Sequence, residues 1–381
     1  MCEISRNDLL KNVKTAVIKI GSSVLTNNNG LLDESEFAGI ARQVSELNKR
    51  GINTVVVSSG AIASGMKKLN MKKRPEDIHI KQAISACGQS SLIRYYELSF
   101  QEFGFNVAQI LLTQDDLSNR RRFLNARKTV LELLDMGIIP IINENDSVSF
   151  EEIMFGDNDN LAALVTSLIG ADILLLISNV DGFYDKDPAK DENAKLLYMI
   201  KEVDSRIESL AGETTGKTTT GGMRTKMQAA KTAAAFGVPT IIANGKTENV
   251  IVDIFNANEL GSVILPLEGK MKSRKHWIAF ASKPNGKLIL DDGAIKAITQ
   301  MGKSLLPSGV KKIEGSFGIG EAVSIYNEQM VEVCRGLSSY SSDEINRIKG
   351  KNSSEIEDIL GYKYSDEIIH RDEMAIISNN I

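Results

Sequence analysis

The chain has 381 residues, 42% of them hydrophobic and 25% charged, with a formal net charge of −4. That length favours two domains, and the apolar share is ample for their cores. No run of about 18 apolar residues occurs, and the opening Met1-Cys2-Glu3-Ile4-Ser5-Arg6 lacks the basic and apolar regions of a signal peptide, so the expectation is a soluble cytoplasmic protein with no membrane contact.

The first predicted strand, Thr15–Ile20, carries Lys19 and runs straight into Gly21-Ser22-Ser23. A lone buried ammonium costs several kcal/mol, whereas backbone N–H groups of a small-residue turn beside a lysine make a cradle for phosphate. A helix over Glu34–Lys49 leads to a second strand, Asn53–Val57, followed by Ser58-Ser59-Gly60-Ala61 and a helical run. Ser58 or Ser59 can cap that helix, and the free N–H groups of the same helix end attract anions.

Helix Lys81–Phe103, strand Val107–Leu112 and helix Phe123–Met136 come next, several of the helices ending at glycines such as Gly51, Gly104 and Gly137. The strand Ile138–Ile142 then opens into Asn143-Glu144-Asn145-Asp146 and, after a gap, Gly156-Asp157-Asn158-Asp159-Asn160. Short amides and carboxylates beyond the carboxyl end of a buried strand are how an open α/β sheet lines a ligand crevice. Carboxylates there hold an ammonium group, while asparagine both donates and accepts. Helix Leu161–Ile169 and strand Ile173–Ile177 lead to Ser178-Asn179. The loop Thr218-Thr219-Thr220-Gly221-Gly222 then feeds the helix Met223–Phe236, which carries Arg224, Thr225 and Lys226, and the strand Val238–Ile242 closes this part. The alternation predicts an α/β fold, an open and mostly parallel sheet sandwiched by helices.

After Ile264 the texture changes to a polar, basic bridge at 267–275, with a first domain at 1–266 before it. Glycine-punctuated segments at Lys287–Leu290, Gly309–Gly315, Glu321–Tyr326 and Gln329–Arg335 are spaced like the strands of a small β-barrel. The stretch from Lys270 to Gly350 is net basic, and the second domain is placed at 276–355 with an acidic tail at 356–381.

The titratable inventory narrows the chemistry. Cys2, Cys87 and Cys334 are odd in number and far apart, and His79, His276 and His370 have no second ligand at metal spacing, which argues against a disulfide framework, a zinc site and a histidine triad. No residue is assigned as a metal ligand. No Gly-x-Gly-x-x-Gly follows the first strand, so hydride transfer is disfavoured. Two lysines, one carboxylate and small polar groups suit phosphoryl transfer, which needs positioning and charge neutralisation more than a protein nucleophile.

The stretches Val17–Leu25, Val57–Gly65, Phe123–Arg127, Ile141–Asp146, Gly156–Asn160 and Thr220–Lys226, with Ser304–Val310 and Gly315–Phe317 further on, resemble the amino acid kinase family, in its bacterial glutamate-phosphorylating branch with an appended PUA domain. The resemblance implies ATP and L-glutamate as substrates, L-glutamyl 5-phosphate as product, Mg2+ accompanying ATP, and L-proline as feedback inhibitor of proline synthesis. It also implies a homo-oligomer, dimer or tetramer, a glutamyl phosphate reductase as functional partner, and RNA as a side ligand of the PUA domain. Transferred by motif, Lys19, Lys226 and Asp159 would be catalytic, and Ser59, Asp146 and Asn158 would hold glutamate. Lys19, Gly21, Ser178, Asn179, Thr220, Gly221, Gly222, Met223, Arg224, Thr225 and Lys226 would line the nucleotide site. Where many relatives carry Thr-Asp this chain has Ser178-Asn179, which removes an acceptor-only carboxylate. A kinase of N-acetylglutamate or carbamate is the alternative within the family, and an RNA-binding protein the alternative outside it.

Overall fold

The computed structural model describes residues 5–27, 32–148, 158–188, 190–213, 222–266, 275, 278–279 and 282–377. Gly156 and Asp157 of the acidic run, Thr220 and Gly221 of the glycine loop, and nearly all of the bridge at 267–275 lie outside the described residues. The chain divides into two compact units, residues 1–116 with 121–270, and 117–120 with 271–381.

The first unit is built on eight strands: β1 Thr15–Ile20, β2 Asn53–Ser58, β3 Val107–Leu112, β4 Ile139–Glu144, β5 Ile173–Ser178, β6 Met199–Ile200, β7 Thr240–Asn244 and β8 Ser262–Ile264. Their spatial order is β3-β4-β2-β1-β5-β7-β8-β6, and every pairing is parallel except β7 with β8. Strands β4 and β5 are buried along their whole length, whereas β3, on the sheet edge, is mostly half-exposed. Burial on both faces explains why the central strands read as continuous apolar runs. The chain leaves β1 for β2 on one side and later returns to β5 on the other. That reversal is the switch point at which open α/β sheets bind ligands.

Strand ends were the main departure from expectation. The ladder continues into Ser58, Asn143, Glu144, Ser178 and Asn244, residues whose polarity reads as loop. In a parallel sheet the backbone bonds of these residues are satisfied by neighbouring strands, so a polar side chain at the strand's end can turn into a crevice without loss of the ladder.

Helices Glu34–Lys49, Ala61–Lys68, Ile78–Gln101, Arg120–Asp135, Asn158–Ile169 and Met223–Ala235 accompany the sheet. Ala61–Lys68 and Ile78–Gln101 touch backbone to backbone. A Cβ on Gly88 would lie 1.9 Å from the Ala61 carbonyl oxygen, and one on Gly65 would lie 2.0 Å from that of Ile84. Only glycine permits this approach.

The second unit contains β9 Gly286–Leu290, β10 Val310–Gly315, β11 Ala322–Tyr326, β12 Glu332–Leu337 and β13 Met374–Ile376. They form one sheet in the order β10-β9-β11-β12-β13, and β13 pairs antiparallel with β12. Its core includes Leu288, Ile325 and Val333, but also Ile356, Ile368, Ile369 and Met374. The segment read from its charge as a tail at 356–381 therefore supplies buried isoleucines and a strand: Glu357, Asp358, Asp366 and Asp372 are exposed while the apolar side chains between them pack inward.

Candidate active site

Lys19 lies near the carboxyl end of β1, paired with Val57 of β2 and Leu176 of β5. Asp159 sits in the first turn of the helix Asn158–Ile169, and Lys226 in the first turn of Met223–Ala235. These three elements converge on one carboxylate. Lys19 Nζ is 2.5 Å from Asp159 Oδ1 and Lys226 Nζ is 3.1 Å from Oδ2. Thr225 Oγ1 donates to the same Oδ2 at 2.9 Å.

All three charged groups are buried, with Asp159 only 1% exposed. Burial by itself pushes the Asp159 carboxyl upward, but the two ammonium groups outweigh it and hold the group well below the usual carboxylate range. The aspartate is thus ionised at neutral pH. Together the three side chains carry a formal charge of +1, in a low-dielectric site where an anion is attracted strongly.

On one side of this cluster is a cavity of about 390 Å3 lined by Ser178, Asn179, Asp181, Phe183, Met223 and Lys226. Gly222 caps the helix Met223–Ala235 without a side-chain hydrogen bond and lines the same cavity, and the N-terminal end of such a helix attracts phosphate. Tyr184 also lines it, its hydroxyl 3.2 Å from Asp181 Oδ2, while Asn244 donates to Asp181 Oδ1 at 2.9 Å. Arg224 is exposed and is not part of the lining. Gly21 donates its N–H to the Ile177 carbonyl at 2.9 Å, which ties the turn after β1 to β5.

On the other side is a polar network at the ends of β2 and β4. Asn158 Nδ2 reaches the Ser58 carbonyl at 2.9 Å, Ser59 Oγ at 3.0 Å and Asn143 Oδ1 at 3.0 Å. Asp146 accepts from Ser85 Oγ at 2.6 Å, and Gln89 donates to the Glu144 carbonyl at 3.2 Å. Asn158 thus joins Ser59 directly, and Asp146 is tied to the same network through the helix Ile78–Gln101. Below the turn, Ser58 Oγ meets the fully buried Tyr96 hydroxyl at 2.8 Å. Desolvation raises the Tyr96 pKa, with the Ser58 bond acting the other way.

Ser85, Gln89 and Tyr96 were not anticipated. Their signal was present as polar atoms on the inward face of a long helix, where Ser85 and Gln89 are one turn apart. Thr225, expected at the nucleotide, donates its hydroxyl to Asp159. Among the described residues no group of three or more His, Cys, Asp or Glu side chains stands together to hold a metal ion. Asp159 is engaged by two lysines, so these residues do not form a protein cage for a divalent cation.

The amino acid kinase family model matches residues 14–244, and the PUA domain model matches residues 286–360. A protein of Geobacter sulfurreducens called glutamate 5-kinase is 49% identical over 372 residues, covering 98% of this chain and 100% of that protein. Proteins of the same name from Thermoanaerobacter sp. (49% over 361 residues, 95% of this chain and 97% of that one) and Pelobacter propionicus (47% over 372 residues, 98% and 100%) are similar to it as well. With the two-lysine carboxylate cluster at the end of a parallel sheet and these matches along nearly its whole length, the chain belongs to the amino acid kinase family.

Proposed function

We propose that this kinase transfers the γ-phosphoryl group of ATP to the γ-carboxylate of L-glutamate, giving L-glutamyl 5-phosphate and ADP. The observation that carries the reading is the Lys19–Asp159–Lys226 cluster lying between a cavity suited to a nucleotide and a network rich in amide and hydroxyl groups. The name shared by its relatives supports it.

In this reading a glutamate carboxylate oxygen attacks the γ-phosphorus in line as the bond to the β-phosphate oxygen breaks. The carboxylate is already ionised, so no general base is required. Lys19 neutralises charge on the transferring phosphoryl group, and Lys226 that on the departing ADP. Asp159 holds both ammonium groups in place, while Ser178, Asn179, Gly222 and Met223 receive the nucleotide. Ser59, Asn158 and Asp146 receive glutamate, Asp146 pairing with its ammonium. Mg2+ enters with ATP, and no step is assigned to it.

The further consequences rest on the family resemblance: the opening step of proline synthesis, feedback inhibition by L-proline, product consumption by glutamyl phosphate reductase, homo-oligomer formation, a cytoplasmic location, and RNA as a side ligand of the PUA domain. Among the described residues no helix is long and apolar enough to cross a membrane. The kinase domain is proposed to end near residue 266.

The test is ATP-dependent hydroxamate formation with glutamate, N-acetylglutamate, aspartate and carbamate side by side. The expected result is the highest kcat/KM for glutamate. A higher value for N-acetylglutamate would move the chain to the related kinase activity.

A further inference from the structure

The turn after β1 is held from outside the cluster by a residue of another strand's end. Lys246, two residues beyond β7, places its Nζ 3.0 Å from the Val24 carbonyl oxygen, 3.0 Å from that of Thr26 and 2.6 Å from Glu36 Oε1. One ammonium therefore uses its three protons on two carbonyls of a single turn and on one carboxylate. Its backbone is fixed too: the Lys246 N–H donates to Asn244 Oδ1 at 3.0 Å, and the Gly245 N–H to the Ser178 carbonyl at 2.7 Å. A Cβ on Gly245 would come within 2.7 Å of Val24 Cγ1 and 2.6 Å of Ile177 Cγ2, so the two turns touch only because residue 245 has no side chain.

The rest of the turn is satisfied internally. Val24 N–H donates to the Gly21 carbonyl at 3.0 Å, and the Leu25 N–H and Thr26 Oγ1 donate to that of Ser22 at 3.2 and 3.1 Å. The carbonyls of Gly21, Ser22, Val24, Leu25 and Thr26 are thus occupied, with Lys246 taking two of them and Leu25 accepting from Asp33 N–H at 3.0 Å. Among the described residues the N–H groups of Ser22 and Ser23 have no protein acceptor. A turn with most of its carbonyls engaged and two successive N–H groups available suits an anion.

We propose that Lys246 is a positioning residue for the nucleotide: its ammonium fixes the turn after β1 in the conformation that offers the Ser22 and Ser23 N–H groups to phosphate oxygens. The inference rests on the kinase reading above. Lys246 touches no substrate. It acts through Val24 and Thr26, and it ties the turn to Ser178 and Asn244, whose partners line the nucleotide cavity.

The full chain and its Lys246→Met, Lys246→Arg and Glu36→Gln variants are compared by calorimetric titration with ADP in the presence of Mg2+, and by steady-state kinetics. Lys246→Met should weaken ADP binding and raise the ATP KM roughly tenfold, as expected for losing charge-assisted hydrogen bonds, with the glutamate KM unchanged. Lys246→Arg should recover most of the loss, since a guanidinium also donates to carbonyls and carboxylate. Glu36→Gln should give a smaller shift in the same direction. A folded Lys246→Met chain with wild-type ADP affinity, or with equal loss of both substrates, would overturn the proposal. Should that variant not fold, Glu36→Gln decides, and an unchanged ADP affinity there overturns it. A wild-type chain that binds no adenine nucleotide overturns the kinase reading itself, and this inference with it.

Discussion

Lys19 Nζ lies 2.5 Å from Asp159 Oδ1, a buried ion pair joining the central strand of the sheet to the first turn of a helix far along the chain. Because Lys226 approaches the other oxygen of the same carboxylate at 3.1 Å, the separation of the two ammonium groups is set by a side chain rather than by flexible loops. In the proposed reaction both lysines contact the transition state. Lys19→Ala and Lys226→Ala should each lower kcat by about 10²- to 10³-fold, the loss typical of a removed electrostatic donor, with little change in the glutamate KM. Unchanged turnover in either variant would remove that lysine from the mechanism.

Asp159→Asn leaves two buried ammonium groups facing a neutral amide. Breaking a buried pair in this way costs about 3–5 kcal/mol, so the variant should be less stable at neutral pH and nearly inactive. The pH dependence has a definite sign. The Asp159 carboxyl is held below its ordinary value in the native state, so the unfolded chain binds its proton first as pH falls, at about pH 4. Its stabilising contribution is full above that pH and is lost progressively below it. Urea unfolding from pH 6 down to pH 3 should show the gap between wild type and variant narrowing. A gap that does not change with pH would contradict the assignment.

Asp146, held by Ser85 Oγ at 2.6 Å, is assigned to the glutamate ammonium. Asp146→Ala should raise the glutamate KM by roughly 10- to 100-fold, in keeping with loss of a charge-assisted contact, while the ATP KM stays near its original value. Separate titrations of the two substrates check this, and a defect confined to ATP would move the residue to the nucleotide side.

Gly88 sits where a Cβ would come 1.9 Å from the Ala61 carbonyl oxygen and 2.5 Å from the Gly65 nitrogen. The obstacles are backbone atoms, so the helices must separate. Gly88→Ala should destabilise the chain by about 1–3 kcal/mol or more, as overpacking does, and should raise the glutamate KM because the same helix carries Ser85 and Gln89. Thermal unfolding and kinetics of the variant measure both effects; an unchanged Tm would mean the crossing yields more easily than its geometry indicates.

Much of this was legible in the sequence because buried parallel strands write their own signature. Lys19 stood out as a charge inside an apolar run, and Asn143 to Asp146 as polarity bursting from the end of one. Lys226 and Asp159 were placed by their motifs, but their meeting at one carboxylate required the fold, since periodicity carries no information on which helix ends converge. Tyr96 and Gln89 were hidden for a different reason: a single polar atom on a long helix is diluted by its apolar neighbours. Lys246 was hidden because two of its three partners are backbone carbonyls, which every residue has, and the third, Glu36, is far away in the chain. The charge of the segment after 355 misled, since its net acidity masked the isoleucines at 356, 368 and 369 that fill the second core.

The most direct test of phosphoryl transfer to a glutamate carboxylate follows an oxygen atom. Glutamate labelled with 18O in its γ-carboxylate is incubated with ATP, Mg2+ and hydroxylamine, and the released phosphate is analysed by mass spectrometry. If the carboxylate attacks the γ-phosphorus, one labelled oxygen becomes the bridge of the acyl phosphate. Hydroxylamine attack at the carbonyl carbon then breaks the carbon–oxygen bond, and the phosphate leaves carrying one 18O. Phosphate free of label, released at the rate of ADP formation, would show that the phosphoryl group never reached the carboxylate and would contradict the role given to Lys19, Asp159 and Lys226.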